Sequence, residues 1–490
     1  MTLLRFVRQP RRFALAATLL TVAGTVPWAP AAHAEPAHAT PSTSTDPFAY
    51  LRADRMALPS GAYGAALARR IPSFSRQTKL ACSACHYGFP QLTPFGRLFK
   101  LNGYTLTGLT TIQGGDSTRE SLKLAPIPPA SAMLITSLTH TGSALPDAQN
   151  DATAFPEQFS VFLGGQVTPK VGAFTQLTYE AEAGTVGIDN VEFRFADRTT
   201  LGGDNLVYGL TLHNNPTMQD LWNTTPAWGY PFASSSVAPS PTASTQIDGA
   251  FAQQVVGLGA YAMWNQLLYA EVTTYRSAQQ GVAPPPGPAS SDVAKGVIPY
   301  WRVALQRQFG RNYLMVGTYG LAARLYPEGV GGLTNRFTDV GVDAQYEHTV
   351  GTGVFVARTT YLHEHQSLGA FVAAAGDSPA PNATNSLDEF RINASFMPSD
   401  RFTFTAGFFT TSGTRDTVMY APSPVDGSAN GKPTSTGGIG EVDFNAWQNT
   451  RVGLQYIAYG TFNGASHDYD GGGRSASNNN TLYLYLWLAF

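Results

Sequence analysis

The chain contains few charged residues and only two cysteines. Asp, Glu, Lys and Arg together make up 13% of its 490 residues, and the formal net charge is -2. Because the chain has neither a strong positive charge nor a prominent run of Lys and Arg, nucleic acid is not expected as a partner. Uncharged polar residues, mainly Gly, Ser, Thr, Asn, Gln and Tyr, fill the positions that charged residues occupy in ordinary soluble proteins.

A long apolar segment is also missing from most of the chain. Beyond residue 34 no run of eighteen apolar residues occurs, which excludes a transmembrane helix there. Before it, four arginines precede the apolar run FALAATLLTVAG, and Ala32-His33-Ala34 has the pattern of a cleavage site. We interpret residues 1–34 as a bacterial signal peptide for general secretory export, and residues 35–70 as a flexible lead-in rich in Pro, Ala, Ser and Thr.

Many stretches of about ten residues after residue 130 alternate in character, as strands with two different faces do. FTQLTYEAE (174–182) and RVGLQYIAY (451–459) are examples, and both are rich in β-branched and aromatic residues. Short links between such stretches alternate with mostly longer links rich in Pro, Gly and Ser. This asymmetry is typical of outer-membrane β-barrels, which have short periplasmic turns and longer extracellular loops.

The pattern predicts an all-β fold in which about sixteen strands form a transmembrane, porin-like outer-membrane β-barrel over residues 130–490. The predicted strands begin near residues 131, 157, 171, 188, 204, 249, 265, 297, 312, 336, 353, 387, 401, 438, 451 and 481. The last ten residues, TLYLYLWLAF, resemble the C-terminal strand by which outer-membrane barrels are recognised for assembly. The alternative is the edge strand of a soluble β-sandwich, which is disfavoured because a strand so apolar on both faces would promote aggregation.

Both cysteines lie in the stretch LACSACH (80–86). Cys82, Cys85 and His86 match C-x-x-C-H, the attachment motif of a c-type haem, in which the two thiols form thioethers and the histidine is the proximal iron ligand. The alternatives are a redox-active disulfide and half of a zinc site. A second cysteine pair for zinc is missing, and so is the βαβ setting of a thioredoxin-like motif. One motif predicts one covalently attached haem c.

The residues after the motif predict a short helix. Thr93-Pro94 is typical of a helix start, and Asn102-Gly103 of a helix end. Apolar side chains in and before this helix are expected to line a porphyrin, or to form a small hydrophobic core: Tyr87, Phe89, Phe95, Leu98 and Phe99. The nearest cations for the haem propionates are Arg76, Arg97 and Lys100, although single exposed charges are often only solvated.

The run IPSFSRQTKLACSACHYGFPQLTPFGRLFKLNGYTLTG (71–108), followed by the predicted barrel, resembles the fused monohaem cytochrome-porins of the bacterial outer membrane, which include the iron-oxidising cytochrome of acidophilic iron bacteria. The resemblance implies a haem c near the barrel lumen that accepts an electron from extracellular Fe(II) and passes it to a periplasmic carrier, a cytochrome c or a blue-copper protein. It also implies that Cys82 and Cys85 attach the haem and that His86 is its proximal ligand.

The segment 71–125 is interpreted as a partly helical monohaem cytochrome c domain. It is short for enclosing a haem alone, because small domains bury proportionally less surface. We therefore expect the barrel to complete the pocket, and the haem domain to lie at the periplasmic mouth or inside the barrel as a plug.

The sixth iron ligand is harder to predict. If Leu134 and Leu138 face lipid, Met133 faces the lumen near the periplasmic mouth, where a thioether ligand would raise the reduction potential. The alternative is an ordinary packing methionine. Three further residues fall near predicted periplasmic turns: Met263, Met397 and His348.

Two functions are compatible with these patterns. The first is an iron(II)-oxidising cytochrome, an oxidoreductase that conducts electrons across the outer membrane by one-electron transfer without acid–base catalysis. The second is a haem-bearing diffusion porin, or a conduit that uses a donor other than iron. Weaker candidates for metal binding are His363-Glu364-His365 and the acidic loop around residues 467–470.

Overall fold

The computed structural model describes residues 72–106, 112–113, 123–124, 129–180, 184–277, 293–327 and 331–490. The predicted signal peptide (1–34) and lead-in (35–70) lie outside the described residues, as does most of the segment 107–128. None of the helices in the described part of the chain has the length and apolarity that a membrane crossing requires.

Within the described residues, sixteen long strands form a closed antiparallel barrel, in which each strand pairs with its neighbours in sequence and the last pairs with the first. The strands are β1 (Ala130–Thr141), β2 (Asp151–Thr168), β3 (Val171–Glu180), β4 (Thr185–Leu201), β5 (Asp204–His213), β6 (Val255–Trp264), β7 (Leu268–Ser277), β8 (Ile298–Phe309), β9 (Asn312–Tyr326), β10 (Asn335–Val350), β11 (Gly353–Ser367), β12 (Thr384–Ser399), β13 (Phe402–Gly413), β14 (Ser435–Trp447), β15 (Thr450–Thr461) and β16 (Thr481–Ala489). A two-residue strand, Val293–Ala294, extends the sheet beside β9. The predicted sixteen-stranded barrel is confirmed.

The largest differences from the predicted strand starts occur at β2 and β6. β2 begins at Asp151 rather than near 157, because it continues along β1 past an irregularity in their register. β6 begins at Val255 rather than near 249. The residues before it, Gln246–Ala250, form a helical turn that is bound to the barrel interior instead of to a neighbouring strand.

The two faces of the wall differ sharply in polarity. Alternate residues point outward, and many of these are exposed and apolar, such as Leu258, Val272 and Val316. The inward residues between them are buried and often charged, such as Glu271 and Arg302. An apolar exterior around a polar interior is the pattern of a barrel that crosses a membrane.

The two ends of the barrel differ in the length of the links between strands. Seven links have at most three residues between strands, and these short turns are all at one end, where β1 begins and β16 ends. The longer links are at the other end, and one of them contains the helix Gly369–Ala375. The seam at the short-turn end is closed by backbone hydrogen bonds between Ala132 and Phe490, at N···O distances of 2.7 and 2.9 Å.

Two of the described segments occupy the lumen. The first, residues 72–106, is called the plug below; it contains α1 (Ser73–Thr78), α2 (Cys82–Cys85) and α3 (Pro94–Leu101), with a small hairpin between α2 and α3. The second, residues 214–254 between β5 and β6, is called the inward loop. The sequence predicts it as a long external link, but it folds inside, where Trp222 donates to the Tyr313 hydroxyl at 2.6 Å and is 1% exposed.

Candidate haem site

The plug is fixed to the inner wall of the barrel by buried polar contacts. The Arg97 guanidinium forms an ion pair with Glu347 of β10 at 2.5 Å, and both side chains are buried. The Tyr104 hydroxyl donates to Glu192 of β4 at 2.5 Å. Breaking such contacts would leave buried charges uncompensated, so the plug has one defined position in the lumen.

The C-x-x-C-H motif is held by the helix that follows it. Cys82 and Cys85 lie three positions apart in α2, which puts both thiols on one side of the turn. The Thr93 side chain caps α3 by accepting from Gly96 N at 3.1 Å, and it also donates to the Ala84 carbonyl at 2.6 Å. A Cβ at position 96 would lie 2.1 Å from the Cys85 carbonyl oxygen. Only glycine therefore permits α3 to pack this closely against the motif.

A cavity of about 530 Å³ lies between the plug and the barrel wall. This volume is within the usual range of cofactor and small-ligand sites. Cys82, Cys85 and His86 line it from the plug, and residues of the short turns, including Asp400 and Gln448, line it from the end of the barrel. The Gln448 side chain accepts a hydrogen bond from the Cys82 backbone at 3.1 Å. The motif thus faces this cavity at the short-turn end.

Both cysteines and the histidine fit covalent haem attachment. Cys82 and Cys85 are free thiols. Burial raises the pKa of the Cys85 thiol to about 12, and the neighbouring Cys82 contributes in the same direction. Burial lowers the pKa of His86 to about 4, opposed by the backbone carbonyl of Pro90, and its Nδ1 atom is buried without a hydrogen-bond partner among the described residues. A neutral imidazole with an unused nitrogen is what an axial iron ligand requires.

Aromatic side chains from both the plug and the wall surround the motif. Phe89 lies 5.4 Å from the His86 ring and stacks on Trp487 of β16 at 5.8 Å between ring centroids. Of the porphyrin walls predicted from sequence, Tyr87, Phe89 and Phe99 line the cavity, whereas Phe95 and Leu98 pack elsewhere in the plug. The wall and the inward loop add aromatic groups that sequence reasoning did not assign: Phe162, Phe174, Trp228 and Trp487.

Two methionine side chains line the same cavity. Met133 of β1 faces the lumen and is 5% exposed, and its neighbours Leu134 and Leu138 point outward, as the sequence predicts. Met397 of β12 is similarly buried and also lines the cavity. Met263 packs instead in a separate cluster around Trp222. His348 lies on the outward register of β10, where its Nδ1 is 2.8 Å from the Asn312 side-chain oxygen.

The cations predicted to pair with propionates are largely engaged with the protein. Arg97 binds Glu347, and Arg76 donates to the Ala130 carbonyl. Lys100 lines the cavity, but its ammonium donates to the carbonyls of Met218 and Asp220 in the inward loop at 2.5 and 2.8 Å, and burial lowers its pKa to about 8.

Two arginines of the barrel wall line the cavity as well. Arg401 is exposed in the turn between β12 and β13, and Arg451 of β15 donates to the Phe89 carbonyl at 3.1 Å. Both come from turns or strands far from the motif in sequence. Only the barrel closure brings them to the motif, so no local signal pointed to them.

The weaker metal candidates are not supported by the geometry. His363 and His365 point to the outside of β11, and His363 Nδ1 lies 2.8 Å from Asp388. In the acidic loop, Asp470 accepts backbone hydrogen bonds from Val425, Gly472 and Arg474, which is a structural role. Within the described ranges, no three His, Cys, Asp or Glu side chains are grouped so as to hold a metal ion.

Comparison with known proteins gives structural likenesses only. No protein-family model matches the chain, and no curated protein matches it. Salmonella typhi OmpF in complex with daunomycin is 11% identical, with 78% of this chain and 100% of that chain covered and a TM-score of 0.44. An anion-selective porin from Comamonas acidovorans is 10% identical, with 74% and 98% covered and a TM-score of 0.43. OmpT of Vibrio cholerae, an outer membrane protein, is 10% identical, with 74% and 96% covered and a TM-score of 0.39.

The chain contains a closed, sixteen-stranded antiparallel β-barrel. At these identities and TM-scores the likeness concerns the barrel alone. The function has to be argued from the plug, the inward loop and the cavity.

Proposed function

We propose that the protein is an outer-membrane electron-transfer protein that carries one c-type haem and oxidises extracellular Fe(II). Cys82 and Cys85 would attach the haem, and His86 would be its proximal ligand. The observation that carries the proposal is the cavity inside the barrel, because C-x-x-C-H and two methionines line one space of about 530 Å³. The resemblance of residues 71–108 to the fused cytochrome-porins supports the same assignment.

The exterior of the barrel supports a position in the outer membrane. Exposed apolar side chains cover the outward face of both halves of the wall, for example Leu258, Val342 and Leu484. A surface of this extent is costly in water and favourable in a lipid bilayer. By the usual orientation of such barrels, the short turns and the motif lie on the periplasmic side and the long loops face the exterior.

The haem supplies reversible one-electron redox chemistry, and the residues of the chain supply its position and surroundings. One electron leaves Fe(II), which becomes Fe(III), and the electron passes on to an oxidised periplasmic carrier. Phe89, Phe99 and Trp487 give the cavity an apolar lining, which favours a high reduction potential by lowering the local dielectric. The cavity is bounded by the short turns, where a periplasmic carrier can approach it. No general acid or nucleophile is required.

The occupied lumen favours an electron conduit over a diffusion porin. The plug is bound to the wall through Glu347 and Glu192, and the inward loop is bound through Tyr313 and Glu441. Solute diffusion requires an open channel along the axis, whereas electron transfer requires a fixed and enclosed cofactor. The alternatives, a haem-bearing porin and a conduit with another donor, are separated by the following test.

The test uses outer-membrane vesicles that contain the oxidised full-length protein. Adding Fe(II) at the growth pH of the host should reduce the haem and produce its α-band. A Cys82→Ala/Cys85→Ala variant should lack covalent haem and the band, whereas His365→Ala, which changes an exposed side chain of β11, should behave as wild type. Covalent haem without reduction by Fe(II) would refute iron as the donor, and a wild-type protein without covalent haem would refute the whole proposal.

A further inference from the structure

A row of cationic side chains crosses the outside of the barrel near the long loops. It consists of Arg276 in β7, Lys295 just before β8, Arg324 in β9 and Arg336 in β10, and it is called the basic row below. All four side chains are exposed. The three arginines lie on the outward register of their strands, in line with exposed apolar residues such as Val272 and Val316. The four charges therefore face the surroundings of the barrel and not its lumen.

The strand register places these cations side by side. Arg324 and Arg336 are direct partners across β9 and β10. The Lys295 backbone N–H donates to the Arg324 carbonyl at 2.8 Å, which puts Lys295 on the other side of Arg324. Arg276 lies diagonally from Lys295, since Tyr275 pairs with Ile298 and the same register brings Arg276 opposite Val297. Opposed residues on neighbouring strands have Cβ atoms about 5 Å apart, so like charges at these positions repel each other.

The basic row has no anionic partner among the described residues. Two exposed basic residues elsewhere on the barrel each have one: Lys170 binds Asp197 at 2.5 Å, and His140 binds Asp151 at 2.6 Å. In the row, only Lys295 has a compensating contact, which is a cation–π contact with Tyr326 at 5.9 Å. Within the described ranges the three arginines of the row thus have no compensating contact, and an external anion would offset the repulsion.

The position of the row indicates which kind of anion it meets. On the side toward the short turns, the same strands present exposed apolar residues: Val297, Trp301, Val303, Val316, Val340 and Val342. The row therefore borders the apolar belt at the level where hydrocarbon gives way to polar headgroups. Cations at this level attract anionic lipid headgroups.

We propose that the basic row binds the phosphate groups of anionic lipids in the leaflet that faces the long loops. The inference rests on the membrane placement proposed above and is independent of the haem. Planar guanidinium groups suit phosphate because each can donate two parallel hydrogen bonds. Bound phosphate would neutralise Arg324 and Arg336 and tie β7 to β10 at the membrane surface.

The test measures lipid binding to the purified, haem-loaded protein in detergent micelles by native mass spectrometry and thermal unfolding. The probe is bisphosphorylated lipid A, with dephosphorylated lipid A and inorganic phosphate as separate arms. We expect the phosphorylated lipid to bind and to raise the unfolding temperature. Arg324→Gln/Arg336→Gln should weaken this binding about tenfold or more, because each cation near an anionic surface contributes severalfold to affinity. Arg324→Lys/Arg336→Lys should keep most of it.

The matched control is Arg307→Gln/Arg311→Gln. It removes two exposed arginines at the short-turn end and changes the net charge equally. An equal loss of lipid binding in the two double-glutamine variants would overturn the proposal in favour of nonspecific charge attraction. Equal stabilisation by inorganic phosphate or by the dephosphorylated lipid would overturn it as well. The haem spectrum and its reduction by Fe(II) report separately on the proposed function, which should be intact in both pairs.

Discussion

Met133 and Met397 both present a buried side chain to the cavity that His86 lines. We expect Met133 to be the distal ligand, because it lies on β1, the strand that the plug precedes in the chain. Met133→Ala should then change the ligand-field spectrum of the haem and lower its reduction potential by about 100 mV or more, since axial thioether ligation raises the potential. The measurement is a potentiometric titration with optical detection.

Met397→Ala is the matched variant for this prediction, because it removes a thioether of similar burial from the same cavity. Its potential should change little. The opposite result, with a large shift for position 397 alone, would assign the distal side to Met397. Unchanged potentials in both variants would exclude thioether ligation.

At the level of single residues, the sequence suggests only those parts of the candidate site that are contiguous. Cys82, Cys85 and His86 form one motif, and Thr93 caps the next helix as its pattern indicates. The predicted propionate partner Arg97 is instead paired with Glu347, a residue 250 positions away. Such a pairing depends on strand register and cannot be inferred from the residues around Arg97.

Three neighbouring strands hold the inward loop by carboxylates. Three consecutive backbone N–H groups of the loop, at residues 245, 246 and 247, donate to Glu389, Glu364 and Asp339 at 2.5, 2.6 and 2.7 Å. These acceptors lie on β12, β11 and β10, so the contact is a ladder across the wall. It satisfies backbone groups that would otherwise be buried without a partner.

Glu364→Ala should loosen this end of the inward loop. The variant leaves the N–H of Gln246 without its acceptor, which costs about 1–3 kcal/mol for a buried donor. Hydrogen–deuterium exchange should become faster at residues 245–247, while exchange in the strands of the barrel wall is unchanged. His365→Ala, the adjacent outward-facing change, serves as the control. Equal exchange in the two variants would show that Glu364 does not hold the loop.

At the level of elements, the alternation of polar and apolar residues predicted the strands. It did not predict that the link between β5 and β6 folds into the lumen. The strands are readable because each has one apolar and one polar face. The inward loop is rich in Pro, Ser and Thr like the external links. Its direction is set by partners such as Tyr313 and Glu441 on distant strands, and those partners are not visible within the loop.

Over the whole molecule, the sixteen-stranded barrel could be predicted because a closed wall repeats one pattern sixteen times. The internal arrangement could not, since the cavity is built from the plug, the inward loop and wall residues as distant as Trp487. The sequence indicated that the plug needs the barrel, because the plug is too short to enclose a haem. It did not indicate that the inward loop supplies Trp228 as a further wall.

The hydrogen bonds between Ala132 and Phe490 have a consequence for the order of biogenesis. This seam joins the first and last strands, so the wall becomes a cylinder only after the final residues of the chain are in place. The plug precedes β1 and lies within that cylinder, and its cysteines then line a cavity of about 530 Å³, which is too small to admit a second protein. We therefore expect the prosthetic group to be attached before closure. In pulse-labelled cells, every molecule of this protein whose barrel is closed, and therefore resists unfolding by heat, should carry covalent haem. Molecules that close first and acquire haem later would contradict this order. Insertion of the closed barrel into the membrane would thus depend on prior attachment of the haem.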